Sequence, residues 1–212
     1  MPTPMDERLA KLRTLYGADA RRIAAMAPEA GRDGDFAHPV FGEGCAAPAL
    51  LLVGEAPGAE EAAAGRPFVG KAGRQLDELL SCAGIPRESL YITNVVKYRP
   101  VLRSARSVRN RTPSRAEIEA GLPLLLAELR LLAPRMIATL GNTPLAAMRM
   151  LAGAPRAAVG DCHGRPMPLS VGGRDYALFP LYHPASGIYN RSLIEIMHAD
   201  ARRLREHLVK AL

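Results

Sequence analysis

The chain has 212 residues, 48% of them hydrophobic and 23% charged, a globular composition that supports one domain with a full core. A formal net charge of +7 makes a polyanion or an acidic surface the expected class of partner, while three widely separated cysteines exclude a disulfide scaffold and an all-cysteine four-ligand metal site. Asp6, Glu7, Arg8 and Lys11 stand where a secretory leader needs an apolar run, and no apolar stretch reaches membrane-spanning length, so a reduced, cytoplasmic setting without a membrane partner is expected.

Residues 5–27 read as an amphipathic helix ending in the loop Pro28 to Gly34, so residues 1–34 are expected to form an appendage to a domain spanning 35–212. After the turn at Gly42 to Pro48, the short apolar run Ala49 to Val53 predicts a strand buried on both faces. The loop Gly54 to Gly70, rich in glycine and proline, leads into a helix over Lys71 to Cys82, giving the first half of a βαβ unit. Leu90 to Val96 predicts a second strand, followed by a long basic loop from Lys97 to Thr112 and a helix opened by Pro113-Ser114 that continues to Leu132. Arg135 to Leu140 is a third strand, and Gly141-Asn142-Thr143 turns into a helix reaching Leu151. Residues 153–175 read as either a long loop or a hairpin, Tyr176 to Tyr182 as a fourth strand, and Asn190 to Lys210 as a closing helix. Strands alternating with helices predict an α/β fold, a three-layer α/β/α sandwich with a central four-stranded parallel sheet. Ligands of such sheets sit at the carboxyl ends of the strands, which places Gly54 to Phe68, Asn94 to Arg111, Gly141-Asn142 and His183 to Tyr189 on one rim.

The run GEAPGAEEAAAGRPFVGKAG carries Glu55, Glu60, Glu61, Arg66, Phe68 and Lys71 toward a helix N-terminus. It has neither the GxGxxG order of a dinucleotide loop nor the GK[ST] ending of a P-loop, which disfavours a nucleoside triphosphate. Taken together with ITNVVK, NRTPSRAEIEAGLP, ATLGNTPL and LYHPAS, in that order from about Val40 to Leu208, it resembles the uracil-DNA glycosylase superfamily in its family 4 branch. The resemblance implies an α/β/α fold, excision of uracil from DNA, and recognition of a base turned out of the helix. Family 4 enzymes hold a 4Fe-4S cluster on four cysteines, but here Tyr98 follows Lys97, Gly121 stands in the following helix, and no cysteine precedes Cys45. No cluster, other metal or diffusible cofactor is therefore expected.

Cleaving an N-glycosidic bond builds positive charge on the sugar and negative charge on the departing base. The resemblance gives His183 the task of stabilising that anion near uracil O2. Asn94, at the end of the second strand, can donate to uracil O4 and accept from N3–H, the pattern that cytosine reverses. Its other reading is a strand-end asparagine bonding its own loop. Phe68 reads by itself as an anchor of the loop; the PFVG match makes it a stacking platform for the base. Gly54, Ala56, Gly58 and Glu61 fall in the same base-binding segment, with Gly58 leaving space near C5 of the base. Ala56 occupies the position where family 1 enzymes have an aspartate, so water is left to Glu55, Glu61 or Asn110, in that order. Glu55 reads nearly as well as a loop carboxylate bonding backbone N–H groups.

Arg99, Arg103, Arg106, Arg109, Arg111 and Arg115 crowd the basic loop and suggest phosphate contact, with Arg109 and Arg111 taken as DNA-binding residues; a merely solvated loop is the blander account. This loop exceeds the compact RPPGNR-like segment of family 4. A cross-linking branch carries a histidine where Asn110 stands, so irreversible trapping of DNA is not expected. Ser186 is placed to bond a phosphate, and Ile188 and Tyr189 to fill the gap left by the base. The expected protein is thus a monomeric hydrolase acting on uracil-containing DNA. The competing readings are the same fold acting on another damaged base, and a DNA-binding module without turnover.

Overall fold

In the computed structural model, residues 3–26 and 33–210 are described; residues 28–32 of the expected first loop lie outside them. In chain order the elements are α1 (Pro4–Ala24), β1 (Gly34–Asp35), β2 (Glu43–Gly44), β3 (Leu50–Gly54), α2 (Ala59–Ala64), α3 (Lys71–Cys82), a 3-10 turn (Arg87–Ser89) and β4 (Tyr91–Asn94). There follow β5 (Arg99–Ser104), β6 (Ser107–Asn110), α4 (Arg115–Leu132), β7 (Met136–Leu140), α5 (Asn142–Leu151), α6 (Val159–Cys162), β8 (Met167–Val171), β9 (Arg174–Leu181), α7 (Ser186–Tyr189) and α8 (Leu193–Lys210).

The expected strands become β3, β4, β7 and β9, which run parallel in the spatial order β4-β3-β7-β9. Every residue of β3, β4 and β7 is buried, as a sheet covered on both faces requires. Alternation then divides the core. Leu51, Val53 and Ile137 join Leu125, Leu129 and Leu145 on one face, whereas Leu50, Leu52 and Met136 join Leu76, Leu80, Leu204 and Leu208 on the other. Helices α1, α4 and α5 cover the first face and α3 and α8 the second, giving the three-layer α/β/α architecture.

Three particulars differ from the expectation. The sheet has six strands among the described residues, because β2 and β8 add short antiparallel edges to the parallel centre. The segment Lys97 to Thr112 is largely a β-hairpin rather than a loop: β5 and β6 pair from Val101–Asn110 to Ser104–Ser107, and β1 pairs with β5. Strand β6 and the outer half of β5 stand in solvent, so arginine replaces the apolar alternation that announces a strand. Helix α1, expected as an appendage, buries Leu12 and Ile23 in the same core as β3 and α4.

Buried polar groups tie α1 to the sheet. The Lys97 ammonium donates to Glu128 Oε2 at 2.8 Å, Thr93 Oγ1 at 2.6 Å and the Asn94 carbonyl at 2.7 Å. Tyr16 of α1 donates to Glu128 Oε1 at 2.6 Å and meets the Tyr91 hydroxyl at 2.5 Å. Two opposite charges, 1% and 0% exposed, are thereby matched with further hydrogen bonds, the condition under which buried charge is tolerated. The shared donor also fixes the end of β4, where Asn94 stands.

Candidate active site

An open cleft of about 570 Å³ lies at the carboxyl ends of β3, β4 and β9. Eleven residues singled out from the sequence line it: Glu55, Ala56, Gly58, Glu61, Phe68, Asn94, Asn110, Arg111, His183, Ile188 and Tyr189. Gly54, Ser186 and Arg109 are not among its lining residues. Gly54 lies beneath it, where its missing β-carbon admits the Asn94 and Phe68 side chains.

Asn94 is 2% exposed, and its Oδ1 is buried with no hydrogen-bond partner among the described residues. Leaving an acceptor buried and unpaired costs about 1–3 kcal/mol, which a ligand N–H would recover. Phe68 is one of two non-glycine residues with a left-handed backbone among the described residues, at φ 53°. That turn carries its ring to 6.2 Å from the His183 imidazole, centroid to centroid.

The His183 ring is oriented by its own loop, since Ala185 N–H donates to Nδ1 at 3.2 Å. An accepting Nδ1 leaves the proton of the neutral ring on Nε2. Burial lowers the His183 pKa, with the nearby Glu61 carboxylate opposing the shift in part. Burial likewise raises the Glu55 pKa, opposed by the hydrogen bond from Thr143 Oγ1 to Glu55 Oε2 at 2.6 Å. Glu55 Oε1 has no partner among the described residues and is available to the cleft.

Glu61 is committed elsewhere. Its carboxylate accepts from the backbone N–H groups of Gly58 at 3.1 Å, Val69 at 3.1 Å and Gly70 at 2.7 Å, so it staples the loop around the cleft. Asn110 Oδ1 accepts from Arg99 Nε at 2.6 Å, which occupies one of its two lone pairs and leaves the amide nitrogen as a donor. Of the three groups considered for water, only Glu55 keeps a free carboxylate oxygen.

Arg111 also departs from its expected role. Its guanidinium pairs with both oxygens of Glu117, at 2.6 and 2.8 Å, and donates to the carbonyls of Asp33, Val101 and Thr112. With its donors spent inside the protein and its side chain 9% exposed, it is a structural strut rather than a phosphate contact. Arg109 remains exposed and has no ion pair among the described residues. Ile188 is 46% and Tyr189 89% exposed beside the cleft. Thr143, Ala185 and Lys71 complete the neighbourhood; sequence reasoning gave none of them a role, because each acts through a backbone group, a single hydroxyl or a free end.

A family model described as the uracil DNA glycosylase superfamily matches residues 41–210. The chain belongs to that superfamily. The type-4 uracil-DNA glycosylase of Pyrobaculum aerophilum is 43% identical over 149 residues, which is 70% of this chain and 72% of that protein. That of Thermotoga maritima is 37% identical over 173 residues, 81% of this chain and 83% of its own length. That of Sulfurisphaera tokodaii is 34% identical over 170 residues, 80% and 74% respectively.

The superfamily's family 4 branch implies an iron-sulfur cluster, and the residues at its positions do not fit one. Tyr98 packs edge-on against Phe36 and donates to Glu117 Oε1 at 2.8 Å. A β-carbon on Gly121 would lie 2.3 Å from the Val95 carbonyl oxygen, so no cysteine side chain fits without displacing α4 from the sheet. No group of three or more His, Cys, Asp or Glu side chains among the described residues could hold a metal ion. No described helix is long and apolar enough to cross a membrane.

Proposed function

We propose that the protein hydrolyses the N-glycosidic bond of uracil turned out of DNA, leaving an abasic site, as a single copy and without a cluster or other cofactor. The observation that carries this reading is the unpartnered, buried Oδ1 of Asn94, a residue that lines the same cleft as His183 and Phe68. A uracil seated on Phe68 would give N3–H to Oδ1 and take the Asn94 amide at O4. Cytosine would bring an acceptor to the acceptor and a donor to the donor.

As the C1′–N1 bond breaks, its electron pair passes to the base, and the His183 Nε2–H stabilises charge gathering on O2. A neutral imidazole suits this task, and burial keeps His183 neutral to lower pH than an ordinary histidine. Water attacks C1′ and loses its proton toward Glu55, whose free oxygen also offsets positive charge on the sugar; the Asn110 amide donates to that water. Exposed Ile188 and Tyr189 fill the space vacated in the helix, while Arg109, Ser186 and Lys71 meet phosphates. The three free cysteines are compatible with a reduced cytoplasm.

Alkali cleavage of a uracil-containing oligonucleotide after incubation with the protein tests the proposal, with iron analysis of the same sample. A uracil-dependent break that His183→Ala slows by roughly two orders of magnitude or more is expected. Salt-sensitive binding with no abasic product would overturn catalysis in favour of a DNA-binding module. Stoichiometric iron would overturn the cluster-free reading.

A further inference from the structure

Arg87 lies in the 3-10 turn before β4, outside the lining of the cleft. Its Nη2 donates to two successive carbonyls, Pro67 at 3.0 Å and Phe68 at 3.1 Å, while Nη1 pairs with Asp77 Oδ1 of α3 at 2.7 Å. These carbonyls flank the Phe68 α-carbon, whose φ of 53° is a conformation that a side chain with a β-carbon rarely adopts. A left-handed phenylalanine persists only where its surroundings over-determine it. The same turn carries the Phe68 ring over Gly54, beside Asn94 and toward His183.

We infer that Arg87 is a positioning residue for uracil recognition: its guanidinium locks the left-handed turn that presents the Phe68 ring to the base. The planar fork is suited to this, since one Nη reaches both carbonyls while the other is held by Asp77. Lysine offers one compact ammonium and cannot span all three acceptors with the same geometry. The inference rests on Phe68 acting as the stacking platform proposed above.

A double-mutant cycle tests it, with steady-state kcat and KM for a uracil-containing oligonucleotide measured on wild type, R87A, F68A and R87A/F68A. Arg87→Ala is expected to lower kcat/KM roughly 10- to 100-fold, and to cost little further once Phe68 is alanine, because the residue acts through that ring. R87K, which keeps the charge, should recover only part of the loss and provides the same comparison if R87A does not fold. Additive effects of the two substitutions, or an unchanged rate in both R87A and R87K, would overturn the role of Arg87 while leaving Phe68 in place. An unaffected F68A would instead remove the stacking role, and this inference with it.

Discussion

Gly54 and Asn94 face each other in the parallel register of β3 and β4, and a β-carbon on Gly54 would lie 2.3 Å from Asn94 Oδ1 and 2.5 Å from Phe68 Cζ. The absence of one methyl group thus allows the Asn94 amide and the Phe68 ring to occupy neighbouring space. Gly54→Ala should force both aside. Overpacking of this kind costs about 1–3 kcal/mol of stability, a fall of several degrees in Tm for a chain of this size. Excision should suffer more, with kcat/KM falling roughly 100-fold. A melting curve and a kinetic assay on the same sample check it, and an unimpaired rate would show that the two side chains do not depend on this space.

Asn94→Asp replaces the amide donor with an acceptor while keeping the shape. Uracil O4 then meets a carboxylate oxygen, and uracil excision should fall by roughly 100-fold or more. The ratio of uracil to cytosine excision should fall with it. Competition between oligonucleotides carrying each base measures that ratio, and an unchanged ratio would remove Asn94 as the discriminator.

The pH dependence of excision should be governed from the acid side. Protonating His183 at Nδ1 sets an N–H against the Ala185 N–H that now donates to it, and protonating Glu55 removes its charge. Burial lowers the pKa of the first and raises that of the second. The limb set by His183 should therefore lie below the range of an ordinary histidine, and the limb set by Glu55 above that of an ordinary glutamate. Thr143→Val deletes the hydrogen bond that opposes the rise at Glu55, so the Glu55 limb should move to higher pH. Single-turnover rates across the acid range, with and without the substitution, show whether it does.

Glu117 contributes a separate dependence, on stability. Burial by itself would raise its pKa, but hydrogen bonds from Arg111, the Ser114 backbone and Tyr98 outweigh burial and hold it down to about 2. The unfolded chain therefore binds this proton more readily than the folded one. The stabilisation is fully present above the ordinary glutamate value near 4.5 and is lost as pH falls from there toward 2. Glu117→Gln should lower Tm at neutral pH and flatten the loss of stability over that window. A parallel acid decline in the variant and the wild type would assign the effect to other carboxylates.

The parts of the fold legible in the sequence are those whose physics is local. Leu50 to Val53 and Met136 to Leu140 form unbroken apolar runs because both faces of the sheet are covered. Pro113-Ser114 announce the start of α4, and Ser114 caps it by accepting from the Glu117 N–H. Asn94, His183 and Phe68 are brought to one cleft because each ends a strand or sits in the loop after one. What stayed hidden was the pairing of charges across long sequence separations. Lys97 opens the segment expected as a basic loop and nothing in the sequence singles out Glu128; their partnership exists only once β4 and α4 meet. Arg111 looked like a DNA contact for a different reason: its ion-pair partner Glu117 is only six residues on, but only the fold turns the guanidinium inward onto it and onto the carbonyls of Asp33, Val101 and Thr112. The edge β2 pairs only two residues and leaves no periodic trace, whereas β8 turns Leu169 and Val171 inward and Pro168 and Ser170 outward and forms with β9 the hairpin that is one of the two readings of residues 153–175.

The hydroxyl that Tyr16 extends from α1 to Glu128 sets the smallest piece of this chain that can stand alone. Trimming through Ala24 would strip Leu12 and Ile23 from the core and sever a bond to a carboxylate that no water reaches. The shortened polypeptide would expose oily surface and aggregate rather than behave as a minimal catalyst, so protease cuts tolerated by the native molecule should spare this helix.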